Sequence, residues 1–312
     1  MTTSYYLEYL QKKLPFAEIE KERKRCLTNL SDIRDRDVIV YAANFKKPSA
    51  IVSDDFYFIK ELLPKTGRDN LDVILETPGG LAEVVEDIVD LIRSEYKEFA
   101  VFVPGRAKSA GTIFAMAADD IYMSKTSSLG PIDAQVQINN KFISADAVLH
   151  GFEKIKKEVG RFNRLNQAYI PILQGLSPGE LQDYENAQAF SKTLVRDWLV
   201  KYKFKNWNVR KTSGKKVTQQ IKQQRADSIA KKLQNSKMWH RHSRSLNIHK
   251  LREMKLIIED YTNNAQYQEY VDRYYALLFL TFQLSPNLIK IFETSNSQFV
   301  LADNPVNTIK NK

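Results

Sequence analysis

The chain has 312 residues, 43% of them hydrophobic and 27% charged, which is the composition of a globular protein large enough to bury a sizeable core. Its single cysteine, Cys26, excludes an intramolecular disulfide and a cysteine-based zinc site and fits a reducing compartment. The net charge of +10 is uneven: residues 201–255 hold seventeen Lys/Arg against Asp227 and Glu253, a surplus of fifteen, so the remainder carries −5.

The start of the chain lacks the continuous apolar core of a signal peptide, and residues 4–34 read as helix interrupted at Pro15. A strand follows at 37–44, then a helix capped by Ser53 and running to Leu63. Strands at 71–75, 99–103 and 121–123 alternate with helices at 81–93 and 110–118. The strands show little polar alternation, which predicts a parallel sheet covered on both faces. Residues 134–144 read as irregular, and helices are expected at about 145–160, 162–174 and 178–203. A basic helix at 217–235, a mostly apolar helix at 264–284 and a short edge strand at 298–301 complete the reading. The longest apolar run, 274–282, is far shorter than the ~20 residues of a membrane span, so a cytoplasmic location is expected.

Two short runs carry the chemistry. Glu76-Thr77-Pro78-Gly79-Gly80 follows the second strand, and Gly105-Arg106-Ala107-Lys108-Ser109-Ala110-Gly111-Thr112 follows the third. A serine among small residues at a strand-to-helix turn exposes its hydroxyl, and the first amides of the next helix are free to donate to an oxyanion. A glycine pair ending a neighbouring parallel strand brings further amides to the same point. Ser109 is the expected nucleophile, with Gly79, Gly80 and Ala110 as the oxyanion hole.

These motifs, followed by Ala117-Ala118-Asp119-Asp120-Ile121-Tyr122-Met123 and Leu129-Gly130-Pro131-Ile132-Asp133, resemble the serine dehydrogenase proteinase family, which groups with the Clp protease proteolytic subunit, signal peptide peptidase A and the crotonases. The likeness covers roughly residues 35–175 and resumes at Trp239-His240-Arg241-His242-Ser243-Arg244, where Ser243 replaces a glycine usual in the family. It implies an α/β fold: a Clp/crotonase-like spiral of parallel strands with flanking helices, followed by a mainly helical C-terminal region. The expected division is a helical segment at 1–34, a catalytic domain at 35–203 and a basic region at 204–312. The implied activity is an ATP-independent serine peptidase acting on peptide or protein, assembled as a homo-oligomer, with no cofactor and no metal.

The base is the open position. No histidine lies between Ser109 and Leu149, where the Clp arrangement would place one. A lysine can replace it only where burial or cationic neighbours lower its pKa. Lys141, in the stretch after Asp133, and His242 are the candidates, either of which a neighbouring subunit could supply. Lys108 should point away from Ser109 into a surface or structural role, and Lys125 should be solvated. His150 is expected to be structural, and Asp133 to hold the loop or orient a base. Two readings compete: a silent Clp-fold scaffold whose basic region, residues 201–255, binds a partner or nucleic acid, and an acyl-CoA enzyme of crotonase type. Aromatic residues Tyr202, Phe204, Trp207 and Trp239 interleave with the basic ones, a pattern that nucleic-acid surfaces share.

Overall fold

The computed structural model describes residues 4–138, 141–210, 212–239 and 241–303. Helices α1 (Tyr5–Lys12) and α2 (Phe16–Arg34) are separated at Pro15 and lead into strand β1 (Asp37–Ala43). Then come α3 (Asp54–Leu62), β2 (Asn70–Glu76), α4 (Ala82–Glu95), β3 (Glu98–Val103), the short β4 (Arg106–Ala107), α5 (Ala110–Met116), β5 (Asp120–Met123) and β6 (Ser128–Leu129). The expected strands and helices of this half are all present. β1, β2, β3 and β5 are parallel neighbours, with Val40 opposite Ile74 and Val73 opposite Val101.

Both faces of the sheet are covered, which is why the strands read as apolar throughout. In β1, Val38, Val40 and Ala42 join a core formed with α2 and a later helix, α12 (Ala265–Leu284), while Ile39, Tyr41 and Ala43 face α3, α4 and α5. Each apolar side chain buried in this way contributes roughly 1.5–3 kcal/mol. Polar exceptions include Asp72 in β2, fully buried and paired with Arg34 and Arg36.

Two expectations are corrected beyond Asp133. Residues 134–144 are not irregular: β7 (Gln135–Ile138) and β8 (Lys141–Ser144) pair antiparallel, with Val136 opposite Ile143. The helix α6 (Ala145–Phe162) stops at Asn163, whose left-handed φ of 49° ends it. The continuous helix expected at 162–174 is instead a 3-10 turn and the short α7 (Ile170–Gln174).

Helix α8 (Pro178–Trp198) opens with a capping box between Ser177 and Glu180 and runs into a π-turn at Leu199–Lys203. α9 (Gln219–Gln234), α10 (Ser236–Trp239) and α11 (Ile248–Glu253) make the C-terminal region largely helical. The chain then returns to the sheet. β9 (Glu259–Asp260) pairs parallel with β5, α12 (Ala265–Leu284) packs on α2, and β10 (Leu288–Glu293) pairs antiparallel with β1. β11 (Gln298–Ala302) forms the edge, giving the order β11-β10-β1-β2-β3-β5-β9.

Candidate active site

The two motifs lie side by side because β2 and β4 continue as a parallel bridge. Thr77 N–H donates to the Arg106 carbonyl (2.9 Å), and Lys108 N–H donates to the Thr77 carbonyl (2.9 Å). The glycine turn follows at once. A β-carbon on Gly79 would sit 2.6 Å from the Ser109 β-carbon and 2.6 Å from the Lys108 carbonyl, so only glycine lets the turns approach. On its other side the turn rests on Ile51, whose N–H donates to the Gly79 carbonyl (2.8 Å) and whose carbonyl accepts from Leu81 N–H (3.0 Å).

Ser109 adopts φ 50° and ψ −118°, outside the left-handed helical well in which Lys13, Asp35 and Asn163 sit. A side chain in this region costs about 1–3 kcal/mol, and it turns the chain sharply into α5. Ser109 is half-buried, does not cap α5, and its Oγ makes no hydrogen bond among the described residues. The three expected oxyanion donors are not equivalent. Gly79 N–H is spent on the Thr77 hydroxyl (3.1 Å), whereas the amides of Gly80 and Ala110 reach no acceptor among the described residues. Thr77 is the residue the sequence reading missed; its signal was a hydroxyl two positions before the glycine it binds.

Lys108 is not on the surface. It is buried, and its Nζ donates to Ser128 Oγ (3.0 Å), the Leu129 carbonyl (2.8 Å) and Ser245 Oγ (3.1 Å). Burial, with Arg106 and Lys250 nearby, lowers its pKa to about 8. It thereby ties the Ser109 turn to two distant segments. These run antiparallel: Leu129 and Leu246 exchange both backbone hydrogen bonds at 3.0 Å. Further along the same pair, His242 Nδ1 lies 2.8 Å from Asp133 Oδ1. An ionised carboxylate only accepts, so Nδ1–H donates and Nε2 is left as the basic nitrogen. Asp133 is almost fully buried and His242 a quarter exposed.

His242 and Asp133 line a cleft of 360 Å³ together with Ser144, His150 and Lys154. Ser109 is not among its lining residues, and no hydrogen bond joins it to His242. Lys141 opens β8, and its side chain lies outside the described residues, as does His240. Lys125 is exposed, and the Cys26 thiol is buried and pushed up to about 12 by that burial. Below the glycine turn, the Glu76 carboxyl accepts from Arg106 N–H (2.6 Å) and Tyr275 OH (3.4 Å). Burial raises its pKa to about 7.

The basic region does not display its aromatics. Phe204 and Trp239 are buried, Trp207 packs on Phe204, and Arg93 covers the Tyr202 ring at 3.7 Å. Lys203, Lys205 and Lys222 are turned inward as well, onto Asp119, Asp120, Glu98 and the Lys205 carbonyl. Two of the four rings are thus in the core, and Tyr202 and Trp207 are partly buried against it.

Two uncharacterized proteins of Methanocaldococcus jannaschii are similar to this chain. One is 39% identical over 66 residues, covering 21% of this chain and 23% of the relative. The other is 30% identical over 133 residues, covering 40% and 46%. The chain therefore spans less than half the length of either. Among solved structures, a serine-to-alanine variant of a membrane-bound stomatin-specific protease is 22% identical, covers 37% of this chain and 60% of that one, and superposes with a TM-score of 0.27. A lysine-to-alanine variant of that protease, in complex with a substrate peptide, is 26% identical, with coverages of 39% and 59% and a TM-score of 0.28. An Asn-to-Asp variant of ClpP1 from Listeria monocytogenes is 11% identical, covering 76% of this chain and 99% of that one with a TM-score of 0.37. Residues 9–161, just under half of the chain, match the family described as ClpP-like SDH-type serine proteinase.

Proposed function

We propose that the protein is a serine peptidase in which Ser109 attacks the scissile carbonyl and the amides of Gly80 and Ala110 hold the resulting oxyanion. The observation that carries this reading is the Ser109 turn: a non-glycine residue at φ 50° and ψ −118°, whose hydroxyl and two neighbouring amides meet no partner among the described residues. A scaffold has no reason to keep that strain, and an acyl-CoA enzyme of crotonase type needs only the backbone donors. Attack forms the Oγ–carbon bond as the hydroxyl proton passes to the base; collapse breaks the peptide C–N bond as the base returns that proton to the leaving amine. His242 is the base this reading favours, because Asp133 fixes its tautomer and leaves Nε2 to accept. Lys141 is the competing base. Peptide or protein substrates, ATP independence, a cytoplasmic location and homo-oligomeric assembly belong to the same proposal. No helix among the described residues is long and apolar enough to cross a membrane.

Hydrolysis of an unfolded protein substrate without nucleotide tests it. Ser109→Ala is expected to remove the activity, and His242→Ala to lower kcat by about 10³-fold while Lys141→Met leaves it near wild type. The reverse order for the last two would make Lys141 the base, and an active Ser109→Ala protein would end the proposal.

A further inference from the structure

Lys290 stands on β10, opposite Ala43 of β1 and well beyond residue 161, where the family match ends. It is 3% exposed, and its Nζ donates to both carboxylate oxygens of Asp55 (2.8 and 2.7 Å) and to the Ala50 carbonyl (2.6 Å). Asp55 is fully buried in the first turn of α3, where it also accepts from Tyr41 OH (2.7 Å) and Val52 N–H (2.9 Å). A buried ion pair is seldom better for stability than apolar residues of the same volume, so its role is to be sought in what it holds.

It holds Ile51. The ammonium grips the carbonyl before Ile51, and the carboxylate grips the amide after it. Ile51 in turn makes the two hydrogen bonds that bracket Gly80, to the Gly79 carbonyl and from Leu81 N–H. The Gly80 backbone lies against Ile51 so closely that a β-carbon there would come within 2.3–2.8 Å of Ile51 backbone atoms. Burial and the Asp55 carboxylate push the Tyr41 phenol well above the ordinary value, so it stays a donor to Asp55.

We propose that Lys290 and Asp55 are positioning residues that fix the direction of the Gly80 amide through the Ala50–Ile51–Val52 backbone. The inference rests on the reading of Ser109 and Gly80 as nucleophile and oxyanion donor. It makes the oxyanion turn depend on a strand supplied by the C-terminal end of the chain.

Two measurements on the full chain test it: amide hydrogen exchange of residues 77–82 by mass spectrometry, and the rate at which a fluorophosphonate modifies Ser109. The variants are Lys290→Met and Lys290→Met/Asp55→Asn, the second leaving no buried charge alone and so guarding against simple unfolding. Exchange at 77–82 is expected to rise about tenfold or more while β3 keeps its protection. Modification of Ser109 is expected to slow about tenfold or more. Unchanged exchange at 77–82 in the folded double variant overturns the inference. Faster exchange in a protein whose wild type resists the probe upholds the positioning by Lys290 and removes the peptidase reading instead.

Discussion

Glu76, at the end of β2, and Ser109, in the turn before α5, illustrate two ways in which burial is used. Around Ser109, the Thr77–Lys108 backbone bond and the buried Lys108 ammonium hold a conformation that the serine alone would leave. Glu76, by contrast, keeps a proton that an unfolded chain would release, since its pKa is about 7 in the fold against 4.5 without it. Its contribution to stability is therefore complete below about pH 4.5 and lost as the pH rises through about 7. Glu76→Gln preserves an acceptor for Arg106 N–H and carries no charge. It is expected to flatten the pH dependence of the unfolding free energy between pH 5 and pH 8, and to be the more stable protein at pH 8; an unchanged profile in urea melts would refute the assignment. The Ser109 turn and the glycine turn beside it were legible in the sequence because each motif is local. The Asp133–His242 pair spans 109 residues and brings together two segments that nothing local connects. For Lys108 the sequence left a surface and a structural role open, because the partners that bury it and decide for the structural one, Ser128, Leu129 and Ser245, come from elsewhere in the chain.

At the scale of elements, the parallel strands were readable because residues on both faces of β1, β2, β3 and β5 are buried, leaving apolar runs that end in turn residues. β10 was not, since Lys290 and Glu293 interrupt a six-residue strand and make it look polar; both turn out to be buried in ion pairs. The β7–β8 hairpin was hidden in the same way, by polar residues between Val136 and Ile143. The junction of β2 with the glycine turn is the element on which the site depends most. Gly79→Ala adds a carbon 2.6 Å from the Ser109 β-carbon at a φ of 99°, so one of the two turns must move. A loss of about 10²–10³ in kcat is expected. Thermal unfolding should register a destabilisation of about 1–3 kcal/mol. Wild-type turnover in that variant would mean that the close approach of the two turns has no part in catalysis.

Across the whole molecule, the early helix α2 is locked to α12 and β10 from the other half of the sequence. Arg23 of α2 is buried, donating to both oxygens of Glu293 on β10 (2.9 and 3.1 Å) and to Thr281 of α12 (2.7 Å). Removing one member strands the other, so Arg23→Ala is expected to cost about 3–5 kcal/mol in urea denaturation while leaving the activity of the folded fraction unchanged. Charge divides the sequence at about residue 200, but the sheet does not follow that division: β9, β10 and β11 come from the last part of the chain and flank the strands that carry Ser109 and Gly80. The central claim is that this sheet presents an activated serine. Labelling of the native protein with a fluorophosphonate probe, beside Ser109→Ala, tests it most directly. Covalent modification of the wild type that disappears in the variant is the predicted result; a folded wild type that the probe leaves unmodified would contradict it.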